Sequence, residues 1–352
     1  MIKMQYTRWR KAIRNLLRHS FRTARRFTRD AWRIASAVVA RHQRATVQDR
    51  QIQKQRLRET IKALVTLGND NPSAAPAWRD FAAQLRMNLL ERNPDFFLRW
   101  DVIADTMFVF DAPYIATELR CLRARRDWAT RWRPVIREDA VGAPTPYLWY
   151  PHSSGNRIHH AYHLSVFETS TKTAVTDYDV IIEFGGGYGS LCRLAHKLGY
   201  KGTYIIHDLP ELSALQTFYL GALGLRISDS VSGALTSKSI ACCSDLAELL
   251  NVNVTKRQGT RVLFIATWSL SESPLETRES LKELCGRCTA HLIAYQHVFR
   301  GIDNASFFDR WSQSLRTFEW HHQEISHLSG NSYLIGVQPE VMASRLHEGP
   351  QQ

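Results

Sequence analysis

The sequence has 352 residues, of which 44% are apolar, and its formal net charge is +13. A chain of this length and apolar fraction buries one large core or two smaller ones, which excludes an intrinsically disordered protein. The charge is uneven, because residues 1–62 hold 18 Lys and Arg against three acidic residues, whereas the remainder holds 28 against 30.

Residues 1–62 have the pattern of a basic amphipathic helix, with apolar residues recurring mostly at intervals of three or four. Three uses fit this pattern: contact with an anionic membrane surface, contact with nucleic-acid phosphates, or a packing or solvated extension without a partner. An Arg-rich mitochondrial targeting segment has a similar composition. Apolar runs such as Ile34 to Ala40 fall short of the roughly 18 residues of a membrane span, and the N-terminus lacks the apolar core of a secretory signal. We therefore expect a cytoplasmic protein.

A helical region is predicted between the basic segment and the first strand. Residues 69–76 are typical of a linker, after which residues 78–89 and 115–122 each place apolar side chains on one helical face. Residues 134–151 contain four prolines and predict a loop. The following segment, 151–163, holds four histidines, and we expect it to form a lid over cofactor and acceptor. For each histidine the alternative is a partly exposed side chain hydrogen-bonded in a loop.

An apolar run that ends in an acid and alternating glycines extends from Val180 to Gly189. It predicts a buried parallel strand whose tip turns sharply and brings bare backbone against a ligand. The spacing differs from the dinucleotide fingerprint, because Ser190 or Cys192 stands where the third glycine would be. Glu183 would repel a pyrophosphate, yet it can accept hydrogen bonds from an amino-acid ammonium. S-adenosylmethionine carries such an ammonium, whereas the alternative is a glycine turn that binds nothing.

Two further acids follow predicted strands. The strand Thr203 to His207 ends at Asp208, where a carboxylate can accept hydrogen bonds from both ribose hydroxyls, or can cap the next helix. The strand Ser239 to Cys243 leads to Asp245, which either reaches the adenine amino group or serves as an N-cap.

The remaining strands are predicted at 261–267 and 290–296, with a closing pair at 321–325 and 332–337. This order predicts an α/β fold with a mostly parallel, Rossmann-like sheet, an antiparallel edge strand and a preceding α-helical N-terminal region. The tip after Thr267, which begins with Trp268, should face the reactive end of the cofactor. Glu272 and His297 should project from adjacent strand tips near that end.

Residues 180–336 resemble the class I, Rossmann-like S-adenosylmethionine-dependent methyltransferases. Four blocks, Glu183 to Ala195, Ile206 to Glu211, Ile265 to Glu272 and Leu292 to Gln296, resemble bacterial sugar O-methyltransferases more narrowly. Those proteins are associated with modification of cell-surface polysaccharides. The resemblance covers a little under half of the chain, and it implies a cofactor pocket formed by Glu183, Gly185, Gly187, Asp208, Asp245, Thr267 and Trp268.

Methyl transfer to a sugar hydroxyl requires an acceptor in line with the methyl group and removal of the acceptor's proton. We expect His297, Glu272 and His163 to supply the catalytic groups, since histidine titrates near neutrality. No metal site is predicted, because only His159, His160 and His163 are offered in sequence and a tight site needs about three or four ligands. Whether a divalent metal polarises the oxygen stays open.

These patterns divide the chain into four expected parts. We expect a basic helical extension (1–68), a helical cap on the acceptor side (69–150), the cofactor-binding domain (151–340) and a tail (341–352). A glycan acceptor favours a location on the inner face of the cell membrane, bound through residues 1–62. The alternatives are a nucleic-acid methyltransferase that uses the basic helix for phosphate contact, and a non-catalytic cofactor-binding interaction protein. No Asn-Pro-Pro-Tyr motif or RNA-binding module supports the former.

Six cysteines do not suggest a disulfide framework in a chain of this size. Cys285 and Cys288 have the spacing of a metal or redox pair, but no second pair lies nearby, so we expect a structural role.

Overall fold

The computed structural model describes residues 47–66, 76–254 and 259–339. The central strands are β1 (Val180–Phe184), β2 (Thr203–His207), β3 (Ile227–Ser228), β4 (Ile240–Cys243), β5 (Val262–Thr267), β6 (Ala290–Gln296), β9 (Glu319–Glu324) and β10 (Asn331–Val337), and a small separate ribbon pairs β7 (Val298–Phe299) with β8 (Ile302–Asp303).

Four longer helices precede the sheet: α1 (Val47–Thr66), α2 (Pro76–Glu91), α3 (Pro113–Arg123) and α4 (Gly155–Thr171). The helices between and after the strands are α5 (Ser190–Lys197), α6 (Pro210–Ala222), α7 (Val231–Ser237), α8 (Leu246–Leu250), α9 (Ser269–Glu272), α10 (Leu275–Gly286) and α11 (Asn304–Ser314). Single helical turns lie at Pro94–Arg99, Asp101–Ala104, Trp128–Trp132, Arg133–Val135 and Val175–Asp177.

The eight strands follow the order β3-β4-β2-β1-β5-β6-β10-β9. All pairs from β3 to β6 are parallel, whereas β10 runs antiparallel to both β6 and β9. The chain adds strands on one side of β1 and then crosses to the other side at β5. The order therefore reverses between β1 and β5, which is where open α/β sheets form their ligand crevice.

Both faces of the sheet are covered, as the continuous apolar strands require. Ile181 packs into a core shared with α3, α4 and α6, while its neighbour Ile182 packs into a second core shared with α10 and α11. All five residues of β1 and of β2 are buried.

The predicted fold class is confirmed: the sheet is mostly parallel, its closing pair adds antiparallel edge pairing, and helices precede it. The antiparallel strand itself is β10, which lies one position inside the edge strand β9. The sequence did not predict β3, β7 and β8, which have two residues each. A two-residue strand has no periodicity to detect.

The described part of the basic segment packs against the sheet domain. In α1, Leu57 and Ile61 are buried, and Lys54 Nζ lies 2.6 Å from Asp95 Oδ2. Gln53 lies against Gly221 of α6, where a methyl group would come within 3.0 Å of Gln53 Oε1. Residues 47–66 thus form a packing helix. The helix predicted for residues 1–46, which hold 13 Lys and Arg against one Asp, lies outside the described residues. Elsewhere in the described ranges no helix has the length and apolarity that crossing a membrane requires.

A fully buried guanidinium ties the loop before α4 to the sheet domain. Arg157 Nη2 lies 2.9 Å from Glu138 Oε1, 3.3 Å from Asp139 Oδ2 and 3.0 Å from the Tyr219 hydroxyl. Asp139 also binds Arg193 through both carboxylate oxygens, at 2.9 and 3.0 Å. Burial opposes ionisation of Asp139, yet the surrounding cations hold its pKa well below its usual value.

Replacing Arg157 by Met should destabilise the protein strongly, because it leaves two carboxylates with incomplete compensation in a buried site. We expect Arg157→Met to lower the free energy of unfolding by about 3–5 kcal/mol in urea denaturation. The exposed Arg316→Met should change it by less than about 0.5 kcal/mol. Equal effects of the two substitutions would show that the network contributes no stability.

Candidate active site

The loop after β1 exposes bare backbone at the crevice. Gly185, Gly187 and Gly189 have φ values of +75°, +58° and +89°, a region that favours glycine. A Cβ on Gly185 would lie 2.1 Å from Ser269 Cβ, so the loop packs directly on the connection after β5. At Gly187 the nearest atom to such a Cβ is Met107 Sδ, at 3.7 Å. The backbone at Gly187 is thus open to a ligand.

Glu183 lies beneath this loop. Its side chain is 3% exposed, and Oε2 accepts a hydrogen bond of 2.8 Å from the Tyr204 hydroxyl. Burial raises the pKa of Glu183 to about 8. Within the described ranges no Lys or Arg forms an ion pair with this carboxylate. A positively charged ligand group placed next to Glu183 would therefore be stabilised by ionisation of this carboxyl.

Asp208 is tied to the glycine loop. Its Oδ2 accepts hydrogen bonds from the Gly187 amide at 2.8 Å and from Gln216 Nε2 at 3.2 Å, and Oδ1 accepts one from the Leu209 amide at 2.8 Å. Burial nevertheless raises the pKa of Asp208 to about 7. The sequence did not single out Gln216, whose amide also donates to the Gly187 carbonyl at 2.8 Å. Its position on an otherwise apolar stretch of α6 was the available signal.

Asp245 caps α8 by accepting a 2.8 Å hydrogen bond from the Ala247 amide. The N-cap alternative is thus realised, while contact with an adenine stays a prediction. The side chain is exposed and lies at the end of β4.

The connection after β5 holds an aromatic side chain in a fixed position. Trp268 follows Thr267 and has a φ of +65°, which is unusual for a bulky residue. Its amide donates to the Ala294 carbonyl at 2.7 Å, and its indole Nε1 donates to Asn331 Oδ1 at 2.7 Å. The indole ring stacks on His159 with 5.3 Å between centroids.

Two of the predicted catalytic side chains lie at this same edge of the sheet, and both have protein partners. Glu272 Oε1 accepts a 3.2 Å hydrogen bond from Gln296 Nε2, and burial raises the pKa of Glu272. His297 Nε2 lies 2.8 Å from the Ser332 hydroxyl. Their catalytic roles stay predictions.

The histidine segment is not a partly exposed loop, because most of it forms the beginning of the buried helix α4. The loop alternative was therefore wrong for His159, His160 and His163. His163 is completely buried, its Nδ1 lies 2.5 Å from the Tyr333 hydroxyl, and burial lowers its pKa well below 6.5. The apolar spacing in this segment is masked by its many polar residues, which is why its helical period was missed.

The structure adds a functional candidate that the sequence did not provide. Glu118 on α3 is fully buried and contacts His159 and His327. Glu118 shares a helical face with Ile115, Leu119 and Leu122. An acid on that apolar face was the signal in the sequence.

A fully buried cation fixes the connection between β5 and α10. Arg278 donates to the Ser271 carbonyl at 2.6 Å, to the Ser273 carbonyl at 2.9 Å and to Asn304 Oδ1 at 2.7 Å. The hydrogen bonds of Arg278 therefore fix the short segment that contains Glu272.

Methyltransferases of known structure are similar to about half of the chain. The methyltransferase domain of bacterial CtHen1 matches 51% of this chain and 97% of its own, at 11% identity and a TM-score of 0.35. A protein from Pyrococcus horikoshii that has been assigned as an RNA methyltransferase matches 53% of this chain and 85% of its own, at 14% identity and a TM-score of 0.35. An O-methyltransferase family protein from Burkholderia thailandensis matches 64% and 67% at 13% identity and a TM-score of 0.33.

No protein-family model matches the chain, and no curated protein is similar to it in sequence.

All six cysteines have free thiols. Among residues with a described placement, no group of three or more His, Cys, Asp or Glu side chains is arranged to hold a metal ion.

The raised pKa values of Glu183 and Asp208 predict that the ligand-free protein loses stability as pH rises. The native state keeps protons that the unfolded chain has released, between pH 4.5 and about 8 for Glu183 and between pH 3.8 and about 7 for Asp208. Each group should lower the free energy of unfolding by up to about 1.4 kcal/mol per pH unit in its window.

The measurement is urea denaturation of the wild type and of Glu183→Gln between about pH 5.5 and about pH 8.5. The variant should show the smaller decline. An identical slope in both proteins would mean that Glu183 is already ionised when buried.

Proposed function

We propose that this chain is an S-adenosylmethionine-dependent O-methyltransferase that acts on a sugar hydroxyl. The observation that supports it most is a buried carboxyl group, Glu183, and a half-buried one, Asp208, next to open backbone at the sheet's switch point. In the described part of the chain neither carboxylate is paired with Lys or Arg. A ligand with an ammonium group and ribose hydroxyls would satisfy both.

The residues present fit such a donor. Glu183 would accept from its ammonium, directly or through water, and Asp208 would accept from its ribose hydroxyls. The open backbone at Gly187 allows close approach of the ligand, and Thr267 and Trp268 border the reactive end. When bound, the donor supplies a methyl group already activated by a sulfonium.

The acceptor side supports a polyhydroxylated substrate. Glu272 and His297 offer hydrogen-bonding groups for sugar hydroxyls, and Glu272 lies one helical turn from Trp268. The blocks that resemble sugar O-methyltransferases, Ile265 to Glu272 and Leu292 to Gln296, form this same edge. A sugar hydroxyl needs these residues to orient it and a base to take its proton.

We also propose that the basic segment binds an anionic membrane surface, where an enzyme acting on surface glycans would meet its acceptor. The support is the charge of residues 1–46 together with their Trp and Phe side chains.

Donor binding should depend on Asp208. We expect Asp208→Asn to weaken S-adenosylmethionine binding by about 10-fold or more in calorimetry, because a charged acceptor for the ribose hydroxyls is lost. The exposed Asp229→Asn is the matched control and should bind as the wild type does. Near pH 7 the wild type should also release protons on binding, since the ammonium favours ionised carboxylates. Binding of NADH without binding of S-adenosylmethionine would refute the proposal.

The acceptor class can be tested with tritiated S-adenosylmethionine and two pools, cell glycans and total RNA. We expect label in the glycan pool, and a loss of at least about 10-fold with Asp208→Asn. Label confined to RNA would replace the sugar acceptor by a nucleic acid.

Deleting residues 1–46 should abolish binding to vesicles containing anionic lipid, because most of the basic residues of the N-terminal segment are removed. Co-sedimentation at low and high salt measures this, with neutral phosphatidylcholine vesicles and RNA as comparisons. Full-length protein that binds RNA but no anionic vesicles would contradict the membrane proposal.

A further inference from the structure

A fully buried acid, Glu118, contacts two histidines, one of which stacks on Trp268. Both oxygens of Glu118 lie close to His159 Nδ1, at 2.8 and 2.9 Å, and Oε1 also lies 3.0 Å from His327 Nε2. Burial opposes ionisation of Glu118, but the two histidines outweigh it and lower its pKa below 4.5. Glu118 is therefore a carboxylate at neutral pH.

This charge fixes the tautomer of His159. An ionised carboxylate can only accept hydrogen bonds, so the proton of the neutral imidazole must be on Nδ1. The other ring nitrogen, Nε2, is then the basic one. The same relation between a carboxylate and a histidine orients the base in hydrolytic triads.

The surroundings of His159 place it next to the connection after β5. The indole of Trp268 stacks on its ring at 5.3 Å with 23° between the planes, and the ring of His163 lies 4.1 Å away. His159 is 6% exposed, whereas His163 is 0% exposed. Of these two residues, only His159 keeps solvent-exposed surface, and that surface is small.

We propose that His159 is the general base of the methyl transfer and that Glu118 is its positioning residue; this rests on the proposed transfer to a hydroxyl. The acceptor oxygen gives its proton to His159 Nε2 and uses its electron pair to form the new C–O bond. The C–S bond of the donor breaks and leaves its electron pair on sulfur, and the imidazolium later loses the proton to water. Glu118 and the face of Trp268 stabilise the positive charge while it exists.

The other titratable groups around His159 come from α3, α4 and the turn between β9 and β10, and they are Tyr114, His160, His163 and His327. Burial keeps Tyr114 protonated by raising its pKa far above 10, and keeps His160 and His163 neutral by lowering theirs. The negative charge that acts on His159 is thus that of Glu118.

The first test needs no acceptor. Nitrogen NMR of histidine-labelled full-length protein should show the proton of neutral His159 on Nδ1. In Glu118→Leu, which removes the hydrogen-bond acceptor, the preference for a proton on Nδ1 should be lost. A proton on Nε2 in the wild type, or an unchanged preference for Nδ1 in the variant, would overturn the proposed pair.

The second test uses tritiated S-adenosylmethionine and the glycan pool that the wild type labels. His159→Gln should lower the turnover rate about 10²–10⁴-fold while donor binding stays unchanged. Glu118→Gln should cause a smaller loss of turnover with an unchanged KM for the donor. The exposed His321→Gln is the matched control and should keep wild-type turnover.

Wild-type turnover in His159→Gln, or a loss explained by weaker donor binding, would refute the role of His159 as the general base. If the wild type binds the donor but labels no glycan, the sugar acceptor is refuted, and the NMR result alone decides the Glu118 and His159 pair.

Discussion

The site depends on the close approach of two connections at the carboxyl edge of the sheet. The amide of Gly185 donates to the His207 carbonyl at 2.8 Å, and the Ser269 hydroxyl donates to the Phe184 carbonyl. The loop after β1 is therefore held between the end of β2 and the connection after β5. The positive φ of Trp268 belongs to the same arrangement, since hydrogen bonds from both its amide and its indole keep it there. Unfavourable backbone conformations persist where the surroundings determine them, and they concentrate at functional sites.

Four buried or half-buried acids of this domain are of two kinds. Asp139 and Glu118 have cations or histidines in contact, and their pKa values lie below the usual range. Glu183 and Asp208 have only neutral donors, and their pKa values are raised. The carboxylates of the first kind are compensated by groups of the protein itself. The acids of the second kind lower the stability of the ligand-free protein, and a cationic ligand would restore that stability. Such behaviour is expected of a binding site and is unusual for a structural residue.

The sequence was most informative where a local pattern determines the structure. The strand Ala290–Gln296 was predicted with its observed bounds, and β2 and β5 to within a residue, because continuous apolar runs mark buried parallel strands. The acids at the strand ends could also be located, since the carboxyl ends of parallel strands share one edge. Glu118 and Gln216 could not be assigned roles, because their partners lie far away in sequence and only tertiary packing brings them to the site. For α4 the reason was different: buried polar residues such as Arg157 and His163 concealed the apolar period of the helix.

Helix α4 connects the two halves of the site. Asn156 Nδ2 donates to the Tyr188 hydroxyl in the glycine loop at 3.0 Å, His159 stacks on Trp268, and His163 contacts Tyr333 of β10. One buried helix thus sets the distance between the glycine loop and His159, the proposed base. In-line transfer tolerates little error, and a misplacement of about 1 Å costs roughly 100-fold in rate. The buried network of Arg157 lies on this same helix, so we infer that it serves the alignment of the site as well as the stability of the fold.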